Sequence, residues 1–283
     1  MKAGLHLKKA YIGLVLAVMY VPIVIVIVYS FNQSRLTSVW SGFTLNWYRE
    51  FFRDRQMFQA LVNSVILAAT ASFLAAVIGT FGAVGMVWDK PKTFTGKNDA
   101  AKKTGRLSGV MEYLSILPIM TPEIIMGMVL LVFFSFIRLP LGMLTLVLAH
   151  TCFCIPYVYL LVKARLAGLD RSYIEAARNL GAGSWQAFRD VMLPLILPAV
   201  VSGILLSFAM SFDDVIISVF VTGPQTNTLP IRIYTQLKTG VTPKTNALCS
   251  LLFVITVLLC ILSLAISRTK PAGGAPEKQA ACN

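Results

Sequence analysis

The chain has 283 residues, 57% of them hydrophobic and 13% charged, with a mean hydropathy of +0.74. Soluble domains carry about a quarter charged residues, so this mixture excludes an ordinary water-soluble enzyme or carrier and suits a bilayer. The formal net charge of +13 does not call for a nucleic-acid partner, because the basic residues are spread over separate loops where anionic lipid headgroups account for them.

About 20 mostly apolar residues cross the hydrocarbon as a helix, and backbone groups in lipid must be satisfied within the segment. No charge falls between Lys9 and Arg35, and the first helix is expected at 10–31. Its apolar stretch is longer than a signal-peptide h-region and no small-x-small site ends it, so it reads as a retained anchor. The second helix is expected at 60–88, ahead of a short connection carrying Lys90, Lys92, Lys97, Lys102, Lys103 and Arg106. The third, at 110–137, is apolar apart from Glu123, which follows Pro118 and Thr121-Pro122, where missing backbone donors permit a kink. The fourth runs over 142–164 and contains His150, read as a packed polar residue rather than a metal ligand. The fifth and sixth are expected at 195–221 and 246–267. The tail 268–283, with Pro271, Gly273, Gly274 and Pro276, has the composition of a disordered segment.

Six helices place both termini on one side. That side, with the connections 89–109 and 163–194, holds 17 of the 25 Lys and Arg residues, so it is expected to be cytoplasmic. Cys152, Cys154, Cys249 and Cys260 lie in expected spans and Cys282 in the tail, with no C-x-x-C pair among them. No metal site or cofactor is expected.

Between the fourth and fifth helices the chain reads Glu175-Ala-Ala-Arg-Asn-Leu-Gly181, then nine residues, then Val191-Met-Leu-Pro194. Leu169, Tyr173, Ala176, Ala177 and Leu180 recur at helical spacing, which predicts a short amphipathic helix. Asp170 or Ser172 is placed to cap its start and Gly181 to stop it. A second short segment spans 185–192. The two adjacent alanines leave a face that a partner can approach closely.

This pattern resembles the EAA motif of binding-protein-dependent, ATP-driven import permeases: E-A-A, three residues, G, nine residues, I-x-L-P, with Val191 in place of the isoleucine. The resemblance implies an all-α membrane protein with the six-helix type I (MetI-like) importer bundle. Residues 1–59 form a first anchor and periplasmic segment, and 60–267 the permease domain with its coupling loop at 165–194. It implies further that Glu175 supplies a charged contact to a separate ATPase, Ala176 and Ala177 the close packing, and Gly181 the turn, with Leu193 and Pro194 closing the motif. The chain contains no G-x-x-x-x-G-K-[ST] phosphate loop, so the motor lies elsewhere and no catalytic residue is assigned. Expected partners are an ATPase dimer, a second, paralogous permease and a periplasmic binding protein, at a bacterial inner membrane.

Tyr29-Ser-Phe-Asn32, Phe43-Thr-Leu-Asn-Trp-Tyr48, Ser211-Phe-Asp-Asp-Val215 and Phe220-Val-Thr-Gly-Pro224 are similar to segments of the spermidine/putrescine importer permeases. Permeases for sulfate, molybdate, iron or phosphate share the EAA loop and stay open as alternatives, as does an ion-gradient transporter. Glu123, Asp213 and Asp214 are the acids inside or at the ends of the expected spans, and intramembrane carboxylates mark cavities or partners. They suit a cationic cargo with methylene spacers. Adjacent aspartates on a helix stand about 100° apart, so at most one of Asp213 and Asp214 points into a central path. The other is left to a capping or loop contact, for instance with Arg232 or Lys238.

Overall fold

The computed structural model describes residues 2–34, 39–88, 109–110, 113, 115–170, 172–240 and 242–268. The basic connection at 89–106, Cys282 and the tail expected over 268–283, apart from Arg268, lie outside the described residues, as does the side chain of Cys260.

Ten helices organise these residues: α1 Lys2–Tyr29, α2 Asn46–Arg53, α3 Arg55–Trp88, α4 Glu123–Phe136, α5 Met143–Ala167, α6 Ser172–Asn179, α7 Leu193–Asp213, α8 Ile216–Val221, α9 Leu229–Thr239 and α10 Pro243–Arg268. Residues 115–120 are helical as well, and a turn at Ser184–Gln186 widens into a π-helix, Ala187–Met192, that runs into α7. A single antiparallel bridge, Asn32 to Phe43, is the only β-pairing among the described residues. Four stretches there are long and apolar enough to cross a membrane: Tyr11–Tyr29, Arg55–Met86, Met143–Ala167 and Ser184–Asp213.

Two expected spans are broken. The third stops at Thr121-Pro122, where Pro122 takes an extended conformation (φ −54°, ψ 132°) and α4 starts afresh with Glu123. Proline lacks the amide donor and disfavours helical geometry in the residue before it. The fifth is broken at Asp214 (φ −68°, ψ 127°), so that α7 and α8 are separate helices. The connections after α1 and before α10 carry two further short helices, α2 and α9.

The chain divides into two compact units. The first comprises the described parts of Met1–Arg55 and Gln236–Asn283. In it α10 packs against α1 and α2. Tyr48 links the Ser30 hydroxyl at 2.7 Å to Ser250 Oγ at 3.3 Å, and Lys244 Nζ meets Asp54 Oδ2 at 2.5 Å. The Asn32 side chain holds the segment after α1, donating to the Val39 carbonyl and accepting from the Ser41 amide.

The second unit, Gln56–Thr235, contains the main core: Leu67, Ala75, Ala83, Leu146, Phe153, Val158, Tyr159, Ile196 and Ile217 are buried together. Without a hydrophobic drive between helices in lipid, small residues let backbones approach. Gly79 of α3 and Gly203 of α7 do this on either side of Val158 of α5. A Cβ on Gly79 would lie 3.0 Å from the Ile155 carbonyl oxygen, and one on Gly203 would lie 3.2 Å from Val158 Cγ1.

Backbone cannot yield as a flexible side chain does. Gly79→Leu is therefore expected to cost about 1–3 kcal/mol or more of stability, read as a lower melting temperature of the detergent-solubilised protein. Gly85→Leu, whose Cβ meets nothing within 4 Å, is the control expected to melt near the wild type.

Candidate functional site

Two places in the second unit carry the chemistry that the sequence singled out, and α7 begins at one and ends at the other.

The first is the element spanning α6 to the start of α7. Asp170 Oδ1 accepts the Ser172 amide at 2.9 Å, an Asx-type contact that starts α6. At the other end Gly181 takes φ +88°, a left-handed geometry that glycine adopts without a Cβ penalty. The Gly181 amide donates to the Arg178 carbonyl at 2.9 Å and the Ala182 amide to the Ala177 carbonyl at 3.1 Å. This paired pattern is a Schellman stop, which satisfies the last carbonyls of the helix. Behind it Ala187, Phe188 and Met192 are buried, and the Phe188 ring lies 5.8 Å from that of Phe81 on α3.

The expected apolar stripe does not form one face. Leu169, Ile174 and Ala177 turn partly inward, while Tyr173, Ala176, Leu180 and Trp185 are exposed, Leu180 by 89%. The element is held from below by Ile174 and Phe188 and presents a second apolar side outward. Glu175 and Ala176 lie on exposed positions of α6. Leu193 is half-buried and Pro194 exposed where the π-helix runs into α7.

The second place is a cleft of about 410 Å³ lined by Glu123, Phe153, Ala209, Met210, Asp213, Asp214, Val215 and Ile216. The two helix breaks create it. Pro122 ends one helical segment so that Glu123 opens α4, and the Asp214 break ends α7 so that Asp213 stands at its last residue. All three acids from the sequence reading meet here, but in different states. Glu123 is half-buried and Asp213 exposed, while Asp214 is buried.

Asp214 has structural partners. Its carboxylate accepts the Ile217 amide at 3.2 Å and the Ser218 amide at 2.8 Å, closing the orphan donors at the start of α8. His150 of α5 lies beside it, with Nε2 3.4 Å from Asp214 Oδ2. Of the capping or loop contact expected for one of the two aspartates, the capping form occurs: Asp214 caps α8, while Arg232, named as an example of a loop partner, hydrogen-bonds the Gln56 side chain. The signal for this was present but unread: Ser207, Ser211, Asp214 and Ser218 recur at intervals of four, three and four, and all four are buried. Phe153 and Met210, the apolar walls of the cleft, had no such signal. Among the described residues no group of His, Cys, Asp and Glu suited to a metal ion occurs.

A family model, binding-protein-dependent transport system inner membrane component, matches residues 96–269. The spermidine/putrescine transport system permease protein PotC of Haemophilus influenzae is 40% identical over 93% of this chain and 96% of its own length. The putrescine transport system permease protein PotI of Escherichia coli is 38% identical over 83% of this chain and 81% of its own. Among solved structures, a bacterial ABC transporter that imports the acidic polysaccharide alginate shares the fold at a TM-score of 0.66 and 13% identity, covering 95% of this chain and 96% of that one. The MetNI methionine transporter shares it at 0.55 and 20% identity, covering 74% of this chain and 95% of that chain.

The glycine stop gives a clean test of the first place, since a Cβ on Gly181 meets nothing within 4 Å and the only cost is conformational. Gly181→Val is expected to weaken the end of α6 by about 1–3 kcal/mol. Hydrogen exchange of the amides at 176–182 should then run faster, whereas Gly181→Asn, which tolerates the left-handed region, should stay near the wild-type rate.

Proposed function

Because the chain belongs to the family of binding-protein-dependent transport system inner membrane components, we propose that it is the membrane permease subunit of an ATP-driven polyamine importer of the bacterial inner membrane. It is a multi-pass ABC-importer permease and not itself the ATPase. The observation that carries the reading is the outward face of α6, where Glu175 and Ala176 stand exposed beside Leu180 and Trp185 on an element anchored through Phe188.

Glu175 offers the ATPase a charge. Exposed Ala176, with half-buried Ala177 behind it, admits close backbone approach, and Gly181 ends the helix so that the chain can turn back through Ala187–Met192 into Leu193 and Pro194. The full assembly pairs this chain with a second, paralogous permease, an ATPase dimer and a periplasmic binding protein. Both termini of the six-helix bundle face the cytoplasm, and 165–194 is the coupling loop. ATP closes the motor dimer, α6 moves with it, and the bundle opens outward to receive cargo. Hydrolysis resets it.

Polyamine is favoured as cargo by the relatives named above and by the chemistry of the cleft. Glu123 and Asp213 supply carboxylates for ammonium groups, while Phe153 and Met210 supply walls for methylene spacers. The same carboxylates would repel sulfate, molybdate or phosphate.

The test is uptake of labelled putrescine and spermidine by proteoliposomes holding the complete complex. ATP-dependent accumulation is expected, and Glu175→Ala should lower it about tenfold, the loss of one charge-assisted contact, with this chain still present in the membrane. Accumulation that needs no ATPase, or that Glu175→Ala leaves intact, would overturn the coupling role. Accumulation of sulfate or phosphate instead would overturn the cargo.

A further inference from the structure

His150 is fully buried in α5, and each of its ring nitrogens meets a hydroxyl: Nδ1 lies 2.8 Å from Ser211 Oγ and Nε2 3.0 Å from Ser218 Oγ. Ser211 is on the last turn of α7 and Ser218 on the first turn of α8, so one imidazole spans the break between them. Because a hydroxyl donates or accepts, either neutral tautomer finds a partner on both sides. Asp214 sits in the gap, bonded to the Ile217 and Ser218 amides and 3.4 Å from Nε2. Five positions earlier on α5, the Thr145 hydroxyl donates to the Val221 carbonyl at 2.8 Å, so α8 is tied to α5 at both ends.

Nothing comparable holds the neighbouring acid. Asp213 has no hydrogen bond or ion pair among the described residues, and it lines the cleft with Glu123. Its direction is therefore inherited from the backbone at the break. An unbroken helix would carry residues 213 and 214 around the axis by about 100° each. The break instead ties the Asp214 carboxylate to the α8 amides and His150 and leaves the exposed Asp213 carboxylate open to the cleft.

We propose that His150 is a positioning residue for cation passage: by bracing Ser211, Asp214 and Ser218 it fixes the break between α7 and α8 and so holds the Asp213 carboxylate in the cleft. The proposal rests on the reading of the cleft as the cargo path. His150 touches no cargo. It acts through Asp214 and the two serines on the carboxylate that does.

The experiment uses the complete complex in proteoliposomes and has two readouts. The first is independent of cargo: Asp213→Cys is treated with a cationic methanethiosulfonate reagent, and its modification is followed by peptide mass spectrometry at residue 213. Adding His150→Leu is expected to change that rate at least about fivefold, while His150→Gln, which keeps a polar bridge, restores most of it. The second is the maximal rate of polyamine uptake. His150→Leu and Asp213→Asn should each lower it, and the double variant should fall no further than Asp213→Asn alone, since both act through one carboxylate. His150→Gln should recover uptake in parallel with the labelling rate.

Equal labelling rates in all three backgrounds would overturn the positioning role, as would losses that multiply in the double variant. Normal uptake by Asp213→Asn with an altered labelling rate would overturn the cargo-path reading instead, and the role in passage with it. If His150→Leu does not assemble, a wild-type labelling rate for His150→Gln paired with a loss of uptake counts against the proposal.

Discussion

Helices in lipid gain nothing from hiding apolar side chains from one another, so the buried polar contacts between α5 and the α7–α8 pair set how the second unit is put together. Thr145 bonds the Val221 carbonyl, His150 meets Ser211, Ser218 and Asp214, and the Cys154 thiol donates to the Ser207 carbonyl at 3.5 Å. These contacts form one seam along α5. Each is a group that would be costly to leave unpaired away from water, so a slip of either helix would strand several at once. The seam specifies register, and the glycine contacts at Val158 permit the approach that the seam requires.

The seam also explains how neighbouring residues do different work. Asp213 and Asp214 have the same chemistry and both border the cleft, yet Asp214 is buried and completes the start of α8 while Asp213 is exposed beside Glu123. The division follows from the broken backbone and from His150 on one side of it. α7 then connects the two candidate functional places. It begins at Leu193, directly after the element that carries Glu175, and ends at Asp213. At 1.5 Å per residue its 21 residues span roughly 30 Å.

Much of this was legible in the residues. Uncharged runs located α3, α5 and α10 to within five positions of the expected 60–88, 142–164 and 246–267, because the cost of a charge in lipid is written directly into composition, whereas α1 starts eight positions before the expected 10 and the expected third and fifth spans are broken. The α6 stop was legible because Gly181 does a job few other residues can. The break at Thr121-Pro122 had proline to announce it. The break at Asp214 had neither proline nor glycine, since it is held by His150 some 60 positions earlier, and helical periodicity carries no record of such a partner. Which residues of α6 anchor it was not legible, for a related reason. Tyr173 and Leu180 look like core residues by spacing, but the anchoring fell to Ile174 and Phe188, leaving the others exposed. α2 and α9 are short, mixed in polarity and flanked by long apolar helices, so nothing in their composition set them apart from connections.

In the proposed transport cycle, cations cross this chain through the cleft at Asp213 under the drive of a motor docked on α6. A photoactivatable polyamine analogue, flashed during turnover of the complete complex, tests it most directly by reporting where the cargo is. Covalent label is expected in peptides carrying Glu123, Phe153 or Asp213, appearing only with ATP and the binding protein and suppressed by excess unlabelled polyamine. Label confined to other segments, or equal label at the cleft without ATP, would contradict it.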